Sequence, residues 1–253
     1  MKKILNSLFL RIFIISKQKT FRMENGKVIK YLFLRRKSNE LVIAFSGFSG
    51  EGKKPKYNYI RTLKDINKNQ IYILDDFGYC KAGSYYLGEK GDYFLEKEIP
   101  KLINNIKKKY NITKTYTIGT SKGGWASLYY GIMLEVNTII CGAPQYYIFN
   151  YLETKQYHKK ILKGIIGELD YQEQKNVLNN KLSNMIKNNT IENIKFIIHY
   201  STKEHTYNEH IQYLLKDLKN KTNNVHEDIK EYLNHNEVGN YFKLLINKNL
   251  KGE

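Results

Sequence analysis

The sequence predicts an α/β protein: a mainly parallel, twisted sheet with helices on both faces. Three observations carry this expectation. Short apolar runs rich in Ile, Val, Phe and Tyr alternate with stretches whose apolar residues recur at helical spacing. The 253 residues show no internal repeat and no Gly/Ser linker, and the three prolines, Pro55, Pro100 and Pro144, are scattered; this suits one domain over residues 1–253. A strand-like run also passes into a helical one through a glycine-rich junction, TIGTSKGGWASLYYG, at residues 117–131.

The elements follow in order. The opening MKKILNSLFLRIFIISK has the look of a signal peptide, but Arg11 interrupts its apolar run and no small-residue cleavage site follows. The run is also too short to span a bilayer, so residues 1–20 are expected to be a structural apolar segment, with membrane-surface attachment as the second reading. Residues 27–34, 41–46 (LVIAFS) and 70–74 (QIYIL) read as strands. Between positions 92 and 110, Leu95, Ile99, Leu102, Ile103, Ile106 and Tyr110 share a helical face, with a kink or a late start expected at Pro100. Residues 114–118 and 138–141 are the next strands, separated by a helix carrying Trp125, Leu128, Tyr129 and Ile132. Residues 145–192 are polar, helical in places and without a clear strand, as an inserted cap would be. KFIIHY at 195–200 returns to the sheet, and helices are expected near 208–218 and 237–246.

The net charge of +18 suits an acidic partner such as a phosphorylated cosubstrate, an anionic polymer or a membrane surface. The lysines run from end to end with no basic, aromatic-interleaved stripe, which argues against nucleic acid. Cys80 and Cys141 have neither metal nor redox spacing. No metal is expected, and a reducing cytoplasm is the simpler setting.

Strand, Gly-x-Ser-x-Gly, then helix is the arrangement of a nucleophile elbow, with Ser121 between Gly119 and Gly123. A Walker loop is excluded by order, because Ser121-Lys122 precedes the last glycines instead of following them. A serine hydroxyl needs a base and the base an orienting acid, and in α/β-hydrolase order these follow as acid, then His. His235 precedes the last helix, where a loop leaving the final strand delivers the base. His199 lies within a strand and reads as packed; His158 and His226 sit in polar surroundings and read as solvated. Glu204, just past the strand at 195–200, is the expected acid, with Glu209 next best. The oxyanion donors are expected to be the backbone N–H of Lys122 and that of Gly47 or Phe48 in AFSGFSG.

Taken together, FSGF, KYNYIRTL, GTSKGGWASLYYG, ICGAPQYYIFNYL, HYSTKEHTYNEH and NHNEVGNYF resemble the α/β-hydrolase-type O-acetyltransferases of capsular polysaccharide biosynthesis. More distantly they resemble the glycan-acetylating component of accessory secretion systems. The likeness runs from about Phe21 onward. It implies an α/β-hydrolase fold and a Ser121–Glu204–His235 triad. It also implies transfer of acetyl from acetyl-CoA, through an acetyl-serine, to a sugar hydroxyl of a capsular or cell-surface polysaccharide. Relatives often carry Asp where this chain has Glu204. Lys53, Lys54 and Lys56, or Lys159 and Lys160, are candidates for meeting the phosphates of coenzyme A or an anionic glycan. A serine esterase or glycan deacetylase with the same triad is the alternative, and a non-catalytic partner in glycan assembly is a third reading. The expected setting is cytoplasmic, with the inner face of the membrane as the second reading, and the tyrosine-rich and N-terminal apolar segments are available for a homo-oligomer interface.

Overall fold

The computed structural model describes residues 2–251. Helix α1 (Lys2–Lys17) runs straight into β1 (Gln18–Arg22), followed by β2 (Val28–Leu34), β3 (Glu40–Phe45) and β4 (Asn69–Leu74). Then come α2 (Leu95–Lys109), β5 (Lys114–Thr120), α3 (Lys122–Met133) and β6 (Thr138–Gly142). Three helices, α4 (Ile148–Glu153), α5 (Gln156–Ile166) and α6 (Tyr171–Asn188), separate β6 from β7 (Lys195–Tyr200). The chain ends through α7 (Gln212–Lys219), β8 (Val225–Ile229) and α8 (Val238–Leu250).

The strands form one eight-stranded sheet in the order β1-β2-β4-β3-β5-β6-β7-β8. β1, β2 and β4 pair antiparallel, and every pairing from β4 through β3 to β8 is parallel. The central strands β3 and β4 are buried along almost their whole length, as expected of strands covered on both faces. Alternation divides the core. Leu41, Ile43 and Phe45 of β3 join α2, α3, α5 and α6 on one face. Val42 and Ala44 join Leu245, Ile246 and Leu250 of α8, with Ile14 of α1 at the margin, on the other.

Two strands lay outside the sequence expectations. β1 and β8 are the sheet edges, and their side chains are mostly exposed, so neither shows the apolar signature of a strand. Residues 2–20 therefore comprise a helix and the start of an edge strand; Phe9, Ile12 and Ile15 of α1 are exposed. Among the described residues no helix is long and apolar enough to cross a membrane. α2 begins ahead of Pro100 and continues through it, so the helix starts earlier than expected.

Candidate active site

β5 ends at Thr120, and α3 begins at Lys122, leaving Ser121 alone in the turn with φ 56° and ψ −125°. Such a backbone is costly for a residue with a Cβ, and strain of this kind concentrates at functional sites. The turn is tight because its glycines admit close contact. A Cβ on Gly119 would lie 2.0 Å from the Gly123 carbonyl oxygen, and one on Gly123 would lie 2.4 Å from that of Phe45. The Ser121 N–H donates to the Gly142 carbonyl at 2.9 Å, tying the turn to the neighbouring strand.

Glu204 lies in the loop after β7 and is almost fully buried. Its Oε1 is 3.2 Å from His235 Nδ1 and 3.2 Å from His205 Nε2, while its Oε2 accepts the Thr206 hydroxyl. Burial pushes this carboxyl upward, but hydrogen bonds from His235 and Thr206, helped by both imidazoles, outweigh it and hold it below the usual carboxylate range. An ionised acid therefore grips Nδ1 of His235 and leaves Nε2 as the ring nitrogen free for proton transfer. Asn234 and Glu237 form a reciprocal capping box around the short turn His235–Glu237, which fixes the backbone that carries this histidine.

Ser121 and His235 line one cavity of about 810 Å³, together with Gly47, Phe48, Lys53, Lys155 and His158. The hydrogen bond of Ser121 Oγ goes to Gln145, whose Nε2 donates at 2.8 Å; among the described residues none joins Oγ to His235. Catalytic hydrogen bonds commonly tighten only once substrate is bound. Gln145 is fully buried, and Tyr85 OH donates to its Oε1 at 3.2 Å, which orients the amide with its N–H toward the serine.

The α3 N-terminus supplies donors, because its first backbone bond runs from the Trp125 N–H to the Ser121 carbonyl. The amide of Lys122 therefore has no partner within the helix. Across the cavity, Gly47 and Phe48 follow β3. The preceding Ser46 is pinned by Tyr86, whose OH accepts the Ser46 N–H at 2.5 Å and donates to the Ser46 carbonyl at 3.1 Å.

The Lys122 side chain points the other way. Its Nζ is 2.7 Å from Asp75 Oδ2, with both groups buried, and lies 5.0 Å from the Phe48 ring centroid. Asp75 also accepts the N–H groups of Ser84 and Tyr86. This ion pair therefore joins the loops after β3 and β4 to the residue that follows Ser121.

Other sequence expectations sort as follows. Glu209 lines the cavity but contacts His205 Nδ1 at 3.2 Å, not His235. His199 is buried against Asp228, and His226 is exposed. His158 departs from expectation: it is half-buried in the cavity, stacked on Phe48 and close to Tyr151. Burial first and Lys155 second hold its imidazole below the usual range. Lys53 faces the cavity, whereas Lys54, Lys56 and Lys159 do not line it, and Lys160 belongs to a second pocket. Gln145, His158 and the Asp75–Lys122 pair were not picked out from the sequence. For Gln145 a signal existed, its place in GAPQ directly after β6.

Strand order, strained elbow and acid–histidine pair together define an α/β-hydrolase fold. No family description matches the chain, and no curated protein matches it. Among solved structures it is similar to the capsule O-acetyltransferase of Neisseria meningitidis serogroup A: 20% identity, TM-score 0.73, covering 90% of this chain and 92% of that one. A histidine-to-alanine mutant of that enzyme in complex with CoA aligns with TM-score 0.75 at the same identity, covering 92% and 95%. The Glycosylation Associate Protein complex of Streptococcus agalactiae aligns at 19% identity and TM-score 0.72, covering 93% of this chain and 48% of that one. A fluorophosphonate-binding serine hydrolase of Staphylococcus aureus aligns at 11% identity and TM-score 0.66, covering 93% and 98%. At these identities the likeness is one of fold.

Proposed function

We propose that this chain is an O-acetyltransferase that moves acetyl from acetyl-CoA to a hydroxyl of an anionic capsular or cell-surface polysaccharide. The observation that supports the reading is the shared cavity, lined both by a serine in a strained turn and by a histidine paired with a buried glutamate. The CoA complex of a neighbour with the same fold supports the choice of donor.

Ser121 Oγ attacks the thioester carbonyl and gives its proton to His235 Nε2, while Glu204 stabilises the imidazolium that forms. The amide of Lys122 and that of Gly47 or Phe48 receive the developing oxyanion. The Gln145 N–H donates to Oγ, so the serine's own proton remains free for His235. The thiol of CoA leaves with the proton from His235, and acetyl-Ser121 remains. A sugar hydroxyl then loses its proton to His235 and attacks the acetyl carbonyl, and Oγ leaves with that proton. The reaction is placed in the cytoplasm, where the positively charged protein meets a growing anionic glycan.

Water in place of the sugar would make the same residues an esterase, a reading favoured by the serine-hydrolase neighbour. Purified protein with acetyl-CoA and candidate glycans separates the two. Acetyl transferred faster than acetate released, and abolished by Ser121→Ala, is the expected result; acetate release alone would replace transferase with esterase. An undiminished rate in Ser121→Ala would remove the serine mechanism altogether.

A further inference from the structure

A second cavity, of about 670 Å³, shares α5 with the first, which His158 of that helix lines. Tyr79, Lys90, Lys160 and Lys163 line it, with Gly164 and Gly167 at the end of α5. Its floor is backbone packed on backbone. A Cβ on Gly164 would fall 2.7 Å from the Tyr79 nitrogen, and one on Gly167 would fall 2.7 Å from Lys90 Cα. The Lys90 N–H donates to the Gly164 carbonyl at 2.9 Å. These contacts hold a preformed hollow between the loop that follows β4 and the end of α5.

The charge in this hollow is unbalanced. Of its two carboxylates, Glu89 is held by Lys27 and by the Gly78 N–H, and Glu168, among the described residues, pairs with the exposed Lys163 alone, at 3.0 Å. An exposed pair of that kind contributes little and exchanges readily for another anion. Lys160 lies 5.7 Å from the exposed Tyr79 ring. A basic rim around a partly exposed aromatic ring suits a sugar bearing negative charge: the ammonium of Lys160, held over the ring, swings to the anion as the apolar C–H face of the sugar takes its place on the tyrosine.

The two cavities are joined by rings. Tyr79 meets Tyr157 edge to face at 6.4 Å, Tyr157 lies 6.4 Å from His158, and His158 stacks on Phe48 in the cavity that holds Ser121. Lys155 and Lys160 flank this row on α5 and at its start.

We infer that the hollow at Tyr79, Lys160 and Lys163 is a distal subsite for an anionic glycan chain, and that the chain runs along the Tyr157–His158 row into the cavity of Ser121. The inference rests on the proposed acceptor class and extends it: the acceptor is bound as a polymer, several sugars at a time. The negative charge is a carboxylate on the sugar or a phosphodiester between sugars, and both chemistries suit the lysines.

The test is direct binding, in a Ser121→Ala background so that turnover plays no part. The probes are a disaccharide and an octasaccharide of galacturonic acid, a disaccharide and an octasaccharide linked by phosphodiesters, and neutral maltooctaose. At low salt at least one anionic octasaccharide should bind about tenfold or more tighter than its disaccharide and than maltooctaose. Lys160→Ala/Lys163→Ala and, separately, Tyr79→Ala should each remove that advantage and leave disaccharide binding unchanged. Octasaccharides of both kinds bound no better than their disaccharides, or bound equally by these variants, would overturn the subsite. Loss of acetyl transfer elsewhere would not alter this readout, so the subsite and the proposed reaction fail separately.

Discussion

Lys122→Met removes one half of the buried ion pair next to Ser121 in the chain. The methionine fills nearly the same volume, so the change isolates charge from packing. Asp75 remains fully buried, with the Ser84 and Tyr86 N–H groups and the Ser84 hydroxyl still donating to it, but without the ammonium 2.7 Å away. Breaking a buried pair in this way costs about 3–5 kcal/mol, because an uncompensated charge stays in the interior. Replacing both partners leaves no such charge, so Asp75→Asn/Lys122→Met should recover a large part of the loss. Urea unfolding at neutral pH reads the effect as a lower midpoint with unchanged slope. A loss below about 1 kcal/mol in Lys122→Met, or a double variant less stable than either single one, would refute the assignment of this pair as the tie between the loops.

Gln145→Leu deletes the donor to Ser121 Oγ and should lower kcat/KM about tenfold, the worth of roughly one hydrogen bond; it also strips the buried Tyr85 hydroxyl of its acceptor, so urea unfolding should show a separate stability loss of about 1–3 kcal/mol. Glu204→Gln keeps the shape of the acid but not its charge and should cut kcat by about 10²–10⁴-fold, whereas Glu209→Gln should leave it within about twofold. His210 is buried, and its pKa is pushed down to about 4 from 6.5 by burial first and by neighbouring His205 second. The unfolded chain then binds more protons between those values, so stability rises with pH through that window and is complete above 6.5. His210→Gln should flatten the rise by about 3 kcal/mol in unfolding experiments run across pH 4–7; an unchanged profile would contradict the assignment.

The parts of this fold that could be read from sequence are those where burial writes a pattern. β3, β4, β6 and β7 are buried nearly throughout and read as apolar runs. The edge strand VHEDI does not, because its outward side chains meet water and need no apolar residue. Ser121, Glu204 and His235 could be singled out as candidates because chemistry and chain order restrict where a nucleophile, an acid and a base would sit relative to strand ends. The Asp75–Lys122 pair was not, since nothing local links two charged residues 47 positions apart. His158 misled for the opposite reason: its neighbours in sequence are polar, while those in space are Phe48 and Tyr151.

The most direct measurement is mass spectrometry of the protein quenched after mixing with acetyl-CoA in the absence of acceptor. One acetyl group should appear on the peptide bearing residue 121 in wild type, and none in Ser121→Ala. Acetyl accumulating on another residue, or on Ser121→Ala to the same extent, would contradict a mechanism in which this serine carries the group.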